Sequence, residues 1–284
     1  MFLFEMPMDS DVSVALSTAE RITILGCPID VLTMKETVER IDRAIQSGES
    51  LQHGVVDAGK LALMFEDREL SNAVCASDII NGEGQSLVWL SRLLPTRLRE
   101  RVVGVELFER LLALAHQRGY RVFLFGAREE VVRAVVAKMS SKYGSGLIAG
   151  HRNGYFRADE ERAIAAQISK SGAHMLFVGI SSPIKEKFLY NHRDLLHTVS
   201  FRMGVGGGFD VVAGKITRAP LWIQKSCLEW FYRFLQEPRQ KWRVEVLDSM
   251  KFVYYFGWEM IRGRVPIGIT PRSSSSRGDA RKRP

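Results

Sequence analysis

Short apolar runs alternate with amphipathic stretches along most of the chain. The runs have the length and composition of buried β-strands, and they fall at residues 22–26, 53–57, 77–80, 120–126, 146–150, 174–179 and 198–206. Between them apolar residues recur at helical spacing, which predicts helices from residue 33 onward, over 129–143, and near 159–171 and 184–195. This alternation predicts an α/β protein with a mainly parallel, Rossmann-like sheet flanked by helices on both faces.

Folds of this class bind ligands beyond the carboxyl ends of their strands. Polar residues follow several of the predicted strands at that position. They are Asp57, Lys60, Glu83, Arg128 and members of the segments 151–155, 181–186 and 206–210. Because loops from separate strands converge on one edge of such a sheet, we expect the functional site at this edge.

A glycine-rich segment, GVGGGFDVVAGKITRAP, begins at residue 204. A dinucleotide-binding fingerprint would need glycine at Phe209, and a Walker loop would also need serine or threonine at Ile216. Glycines after an apolar run still allow backbone N–H groups to approach a ligand. The segment is therefore interpreted either as a phosphate-binding turn or as a tight turn between a strand and a helix.

The last quarter of the chain has a different composition. From Lys215 to Pro284 there are 15 Lys or Arg against 6 Asp or Glu, so this segment holds all of the excess positive charge, and it contains four of the five tryptophans. An aromatic helix pair is predicted on either side of Pro238. Such a composition fits an anionic membrane surface, nucleic acid, or helices that pack on the main domain. The candidate acceptor and membrane contacts are Trp242, Arg243, Lys251, Trp258, Arg262 and Arg264.

These patterns divide the chain into four parts. They are a flexible leader at 1–20, an α/β catalytic domain at 21–218, a helical appendage near the membrane and acceptor at 219–265, and a disordered basic tail at 266–284. Three cysteines without CxxC spacing indicate a reducing cytoplasm. The N-terminus lacks the basic region of a signal peptide, and no apolar run approaches the roughly 18 residues of a spanning helix. We expect a protein that stays inside the cell without crossing a membrane.

Carboxylates and cations carry the candidate chemistry. The six histidines form no HxxxH or HxH pair, and the Asp-Ser-Asp at 9–11 precedes the first strand, so no metal site is predicted. Glu83 lies between two glycines after a strand and is a candidate general base. Glu106 is either its partner or an ordinary acidic residue of a first helical turn. Without a metal, cations and backbone amides must stabilise a diphosphate ligand; the candidates are Arg101, Lys185, Arg218 and the amides of 206–208.

Five motifs occur in a fixed order: RVFLFGAREE, GHRNGYF, GISSPIKEK, the glycine-rich segment and LEWFYRFLQEP. In this order and spacing they resemble the WecG/TagA/CpsF glycosyltransferase family over residues 22 to about 245. The resemblance implies an inverting transferase, without a metal or another cofactor, that moves a sugar from a UDP-sugar to a polyprenyl-diphosphate-linked sugar. Its product would serve surface polysaccharide or cell-wall polymer assembly. The glycine turn would help to shape the pocket for the UDP diphosphate.

The resemblance also implies roles for single positions. Glu83 lies where the family usually has the Asp proposed as catalytic base, and Asp57 lies where an Asn is usual. Lys185 replaces a usual Gln, and Glu106 replaces a usual Asp. The other implied catalytic and UDP-sugar-binding positions are Arg101, Gly126, Tyr155, Gly179, Pro183, Glu186, Gly206, Gly207, Gly208, Asp210 and Arg218. The segment KWRVEVL departs from the Arg-Tyr-Leu expected there, so the resemblance supports the basic C-terminal contacts less than it supports the other positions.

The leading hypothesis is a glycosyltransferase that is peripheral on the cytoplasmic face of the membrane. Its expected partners are a UDP-sugar, a polyprenyl-diphosphate-linked acceptor and an anionic membrane surface; a homo-oligomer is also allowed, and nucleic acid is not expected. One alternative is a catalytically weakened homologue that binds a UDP-sugar or a partner glycosyltransferase without turnover, because Asp57, Glu83 and Lys185 depart from the family pattern. A second alternative is nucleic-acid binding through the basic tail. The sequence does not identify the sugar.

Overall fold

A computed structural model describes residues 20–215 and 238–263, with the backbone alone for residues 238–249. Within these ranges the chain forms eight strands. They are β1 (Arg21–Ile24), β2 (Cys27–Asp30), β3 (Leu51–Val56), β4 (Ile79–Gly82), β5 (Val122–Gly126), β6 (Ile148–Arg152), β7 (Met175–Gly179) and β8 (Phe201–Gly204). Six of them form a parallel sheet in the order β4-β3-β8-β7-β5-β6. This sheet confirms the predicted α/β fold class.

The first predicted strand, at residues 22–26, lies outside this sheet. It pairs antiparallel with β2 through a turn in which Leu25 and Gly26 have φ of 48° and 78°. The hairpin covers the edge of β4, because Asp30 accepts a hydrogen bond from the N–H of Ile80 at 2.7 Å. The buried carboxylate of Asp30 forms an ion pair with Arg21, whose Nε lies 2.8 Å from Asp30 Oδ1.

Eleven helices connect and follow the strands in the described part of the chain. They are α1 (Met34–Gln46), α2 (Ala58–Glu66), α3 (Arg68–Cys75), α4 (Gln85–Ser91), α5 (Gly104–Arg118), α6 (Glu129–Tyr143), α7 (Glu161–Lys170), α8 (Ile184–Asn191), α9 (Arg193–Leu196), α10 (Gly208–Ala213) and α11 (Pro238–Ile261). The predicted capping box of α1 is present, since Thr33 and Glu36 each bond to the backbone of the other.

The helices cover both faces of the sheet. Residues of α1, α5, α6 and α10 pack with one set of strand side chains in the largest apolar cluster. Residues of α7, α8 and α9 pack with the alternate strand side chains on the opposite face. A third cluster joins the β1–β2 hairpin to α2, α3 and α4. Because helices cover both faces of the sheet, the carboxyl ends of the strands are the place where a fold of this class binds its ligand.

α11 packs on α2 and thereby joins the third cluster. Phe252 is buried, the ring of Tyr255 stacks on Phe65 with centroids 4.5 Å apart, and the Tyr255 hydroxyl donates to Glu66 at 2.8 Å. The predicted leader, the first aromatic helix and the basic tail lie outside the described residues. No helix in the described ranges has both the length and the apolar character that crossing a bilayer requires.

Candidate active site at the carboxyl edge of the sheet

Two carboxylate residues meet at the ends of β3 and β4. Asp57 follows β3 and caps α2 by accepting a hydrogen bond from the N–H of Lys60 at 2.7 Å. Glu83 follows β4, and its N–H donates to the carbonyl of Val56 at 2.8 Å. Gly84 lies against Asp57, since a Cβ added to it would be 3.3 Å from the Asp57 Cβ. The two loops therefore touch, and both carboxylates belong to the same part of the edge.

The start of α5 orients Glu83. Its Oε1 accepts a hydrogen bond from the N–H of Gly104 at 2.9 Å. Gly104 is the first residue of α5, so this N–H has no acceptor within the helix, and the helix dipole favours a negative charge there. The N–H of Val102 donates to the carbonyl of Gly82 at 2.9 Å. This bond keeps the segment that contains Arg101 beside Glu83.

Next to these carboxylates lie Lys60, Lys185 and Glu186, which we call the lysine–glutamate cluster. Nζ of Lys60 donates to Oε1 of Glu186 at 2.8 Å and to the carbonyl of Val55 at 2.9 Å. Nζ of Lys185 lies 3.0 Å from the same Glu186 oxygen. The exposed side-chain fractions of Lys60, Lys185 and Glu186 are only 12%, 9% and 11%. The predicted cation Lys185 is thus directed toward Glu186.

Electrostatic interactions favour the charged forms of Lys60 and Glu186, as the directions of their pKa shifts indicate. Burial raises the pKa of Glu186, but the charges of Lys60 and Lys185 outweigh burial and bring this pKa down to about 2. Burial lowers the pKa of Lys60, but Glu186 first, and Asp57 and Glu83 with it, raise the pKa above its ordinary value. The pKa of Lys185 is lowered, because burial and the charge of Lys60 outweigh its attraction to Glu186. The cluster therefore couples α2, α8 and both edge carboxylates.

Gly204 at the end of β8 provides the space for Lys185. A Cβ added to Gly204 would be 2.7 Å from Cδ of Lys185, closer than real Cβ contacts come. The lysine stem therefore lies flat on the glycine. Beside it is a cavity of about 20 Å³ lined in part by Gln52, Ser77 and the cluster, with room for a single water molecule.

The ends of β5 and β7 approach each other closely at two predicted binding glycines. A Cβ added to Gly126 would lie 2.4 Å from the carbonyl carbon of Gly179, and Gly126 has a φ of 137°. A Cβ added to Gly179 would lie 2.5 Å from the ring of Phe209. Packing against the backbone of Gly179 thus requires glycine at position 126, and packing against the Phe209 side chain requires glycine at position 179.

The glycine turn after β8 contains residues with different surroundings. Gly206 has a φ of 50°, and both Gly206 and Gly207 adjoin open space. Gly208 is buried against Val105 and Phe108, and its N–H donates to the carbonyl of Val205 at 2.9 Å. Of the three predicted amide donors, that of Gly208 is therefore committed to the turn itself.

A third group of predicted residues surrounds Arg128. Its side chain contacts the hydroxyl of Tyr155 and lies near Glu130 and Asp210, and these three neighbours raise the pKa of Arg128. The Tyr155 ring is 67% exposed. The ends of β5, β6 and β8 thus bring Tyr155 and Asp210 together around one cation.

The remaining predicted positions are placed as follows. Pro183 follows a cis peptide bond and caps α8, and Glu106 lies in the first turn of α5. Lys251 and Trp258 lie on α11, and Arg262 follows directly after the last residue of this helix. The predicted positions outside the described residues are Arg218, Arg264 and the side chains of Trp242 and Arg243.

Sequence reasoning placed Lys60 on the edge but gave it no role. Its carboxylate partner is 126 residues away, and no local pattern predicts that pairing. Gly104 was missed for the same reason, since its bond to Glu83 spans 21 residues.

A search of the described ranges finds no group of three His, Cys, Asp or Glu side chains arranged to hold a metal ion. The expectation that the reaction needs no metal stays a prediction.

A parallel sheet with helices on both faces, and with carboxylates, lysines and glycines at its carboxyl edge, places this protein in the α/β class, whose members bind ligands at that edge. The chain matches the model of the glycosyl transferase WecG/TagA/CpsF family over residues 22–266, and it belongs to that family. The expected resemblance is confirmed, and the protein is a glycosyltransferase of a family that acts in polysaccharide biosynthesis.

A curated relative from Bacillus subtilis (strain 168) is similar to most of the chain. The two sequences are 38% identical over 186 residues, which cover 66% of this chain and 70% of the relative. That protein is an N-acetylglucosaminyldiphosphoundecaprenol N-acetyl-beta-D-mannosaminyltransferase. Its named acceptor is a sugar joined to a polyprenol through a diphosphate.

Proposed function

We propose that this protein transfers a sugar from a UDP-sugar to a polyprenyl-diphosphate-linked saccharide, with inversion at the anomeric carbon and without a metal. Family membership supports sugar transfer. The acceptor of the Bacillus relative supports the lipid-linked class of acceptor. The enzyme would work at the cytoplasmic face of the membrane, where its product enters polysaccharide assembly.

Glu83 is the proposed general base, and its placement carries the proposal. It lies at the end of a strand with a glycine on each side, and the N–H of Gly104 orients its carboxylate. The acceptor hydroxyl would lose its proton to Glu83 as its oxygen forms a bond to the anomeric carbon. The bond from that carbon to the diphosphate would break, and UDP would leave with the electron pair.

The UDP-sugar is proposed to lie along the edge from Glu83 toward Arg128. Gly206 and Gly207 leave open space there, and Arg128 with Tyr155 and Asp210 borders it. Arg101 is held beside Glu83 by the backbone bond of its neighbour Val102. Cations at these places would stabilise the charge that develops on the leaving diphosphate.

α11 is proposed to contact the membrane. Its side facing away from α2 exposes Val253, Tyr254 and Ile261, with exposed fractions of 69%, 62% and 84%. Tyr254 stacks on Trp258, and the guanidinium of Arg262 lies 4.4 Å from the centroid of the Trp258 ring. Aromatic rings next to cations suit the headgroup region of an anionic bilayer.

The test is Glu83→Gln, which removes the base and keeps the size of the side chain. Turnover with a UDP-sugar and a polyprenyl-diphosphate-sugar should fall by about a hundredfold or more, while UDP binding by calorimetry is retained. Glu109→Gln, on the exposed side of α5, is the control and should behave as the unchanged protein. Retained turnover in Glu83→Gln would exclude this residue as the base.

The same assay separates transfer from simple binding. A panel of UDP-sugars, with and without acceptor, should give UDP release that requires one donor and the acceptor together. UDP-sugar binding without any release would favour a catalytically weakened homologue and would contradict the proposed function.

A further inference from the structure

The segment 84–102, which we call the α4 excursion, leaves and rejoins the sheet edge at one place. It begins directly after Glu83 and ends at Val102, whose N–H donates to the carbonyl of Gly82 at 2.9 Å. Leu98 also packs on this point, since a Cβ added to Gly82 would be 3.1 Å from its Cδ1. Both ends of the excursion are therefore anchored beside the proposed base.

The excursion has a defined internal structure. Ser91 donates its hydroxyl to the carbonyl of Val88 at 2.8 Å and accepts the N–H of Leu98 at 3.0 Å. Leu87, Val88 and Leu94 are buried in the cluster that also contains Phe252 of α11. These contacts fix which side chains of the excursion point outward.

Two of the outward side chains are large and apolar. Trp89 in α4 is 53% exposed, and Leu93 in the turn that follows α4 is 72% exposed. The N–H groups of Arg92 and Leu93 donate to the carbonyls of Trp89 and Leu90, so this turn continues directly from the helix. Single exposed apolar residues are common on protein surfaces, but an exposed tryptophan beside an exposed leucine forms a patch.

Two exposed arginines flank the patch, and a third arginine of the excursion, Arg99, is paired with Glu36. Residues 92–101 contain four arginines and one acidic residue, Glu100. Arg92 and Arg97 are exposed on either side of Leu93. An apolar tip with flanking arginines is complementary to a bilayer whose surface is anionic and whose interior is apolar.

We propose that the tip of the α4 excursion docks on an anionic bilayer surface, as a membrane contact separate from α11. Trp89 and Leu93 enter the headgroup layer, and Arg92 and Arg97 contact lipid phosphates. A lipid-linked acceptor carries its diphosphate at the level of the headgroups. Docking of an excursion anchored at Glu83 brings that diphosphate next to the base, and this last step rests on the proposed function.

Binding of the full chain to vesicles tests the docking. Phosphatidylcholine vesicles with and without phosphatidylglycerol are sedimented with the unchanged protein, with Trp89→Gln/Leu93→Gln and with Arg92→Gln/Arg97→Gln. Because one basic residue near an anionic surface contributes about a fivefold change in partitioning, the arginine pair should weaken binding to anionic vesicles about twentyfold. The apolar pair should weaken it at least as much.

The control is Arg162→Gln, an exposed arginine on α7, which should bind vesicles as the unchanged protein does. If both double variants bind anionic vesicles as tightly as Arg162→Gln and the unchanged protein do, the inference is overturned. Light scattering without lipid compares the molar mass of the double variants with that of the unchanged protein. A lower molar mass in the variants would also overturn the inference, because the patch would then be a contact between copies of the chain. Arg92 and Arg97 are both exposed, so the arginine pair tests docking even if loss of Trp89 impairs folding.

A kinetic measurement connects docking to the acceptor. For an acceptor embedded in anionic vesicles, KM should rise about tenfold or more in the arginine pair, and an unchanged KM would remove the delivery step. Vesicle binding needs no turnover, so absence of transfer in the unchanged protein would count against the proposed function alone. Transfer with unaltered vesicle binding in the variants would count against this inference alone.

Discussion

At the scale of single residues, one carboxylate oxygen of Glu186 forms ion pairs with two lysines from different helices. Lys60 on α2 and Lys185 on α8 both lie within 3.0 Å of it. The shared oxygen ties the loop after β3 to the loop after β7, beside Asp57 and Glu83. Of the two lysines, Lys60 lowers the pKa of Glu186 more, and it also attracts Asp57 and Glu83. Loss of Lys60 from this mostly buried group is therefore more costly than loss of an exposed pair.

Lys60→Met should therefore lower the free energy of unfolding by about 2 kcal/mol, less than removal of one partner from an isolated buried pair costs, because Lys185 remains to balance Glu186. Lys187→Met is the matched control, since Lys187 pairs with the more exposed Asp67 and Glu69 and should change stability clearly less than Lys60→Met does. Urea unfolding followed by circular dichroism measures both. Equal effects of the two substitutions would contradict the assigned role of Lys60.

Glu186 should also make stability depend on pH. Its folded pKa of about 2 lies below the ordinary carboxyl value of 4.5, so the unfolded chain binds more protons between these values. The stabilisation by Glu186 is complete above about pH 5 and is lost as the pH falls toward 2, with a total of about 3 kcal/mol.

Comparison with Glu186→Gln isolates this contribution from that of the other carboxyls. The unchanged protein should be the more stable of the two at neutral pH, and the difference should shrink steadily below about pH 5. Urea unfolding at a series of pH values gives the difference directly. A difference that stays constant from pH 7 to the acid limit would show that Glu186 is not held ionised by the two lysines.

At the scale of elements, α11 packs on α2, the helix that Asp57 caps. Phe252 is 7% exposed, whereas the next residue, Val253, is 69% exposed. Phe65, Glu66 and Tyr255 complete the contact. The two neighbours on α11 therefore report separately on packing and on the outer surface.

Phe252→Ala should destabilise the protein by about 3 kcal/mol, because it removes a buried aromatic side chain and leaves a cavity. Val253→Ala removes an exposed side chain and should change stability by less than about 0.5 kcal/mol. Thermal unfolding monitored by calorimetry compares them. If Phe252→Ala is as stable as Val253→Ala, α11 does not pack on α2 as described.

Several elements could be predicted from local patterns. The helix predicted from about residue 129 to 143 is α6, because its apolar spacing and the glycine that ends it, Gly144, act locally. The helix predicted near 184–195 is divided into α8 and α9 at His192. The strand predicted at 22–26 was assigned correctly as a strand, but its pairing in a separate hairpin depends on long-range contacts such as that of Asp30 with Ile80.

At the scale of the whole molecule, cations from several loops take the place of a metal in the proposed mechanism. Turnover after treatment with EDTA should therefore stay within about twofold of the untreated value. A resident metal that stabilised the leaving diphosphate would contribute several kcal/mol, and its removal would abolish turnover. Loss of activity with EDTA that Mg²⁺ or Mn²⁺ restores would contradict a metal-free reaction.

The sequence by itself determined the α/β class, the edge of the sheet at which we propose the site, and the family. These follow from local information: the period of apolar residues, the polar residue that ends each strand, and motifs of fixed spacing. Only the tertiary structure decided how the edge is arranged. It directed Lys185 to Glu186, paired Lys60 with the same carboxylate, and placed both ends of the α4 excursion beside Glu83. Such contacts join residues that are distant along the chain, and their energies depend on burial and mutual approach, which no local pattern records.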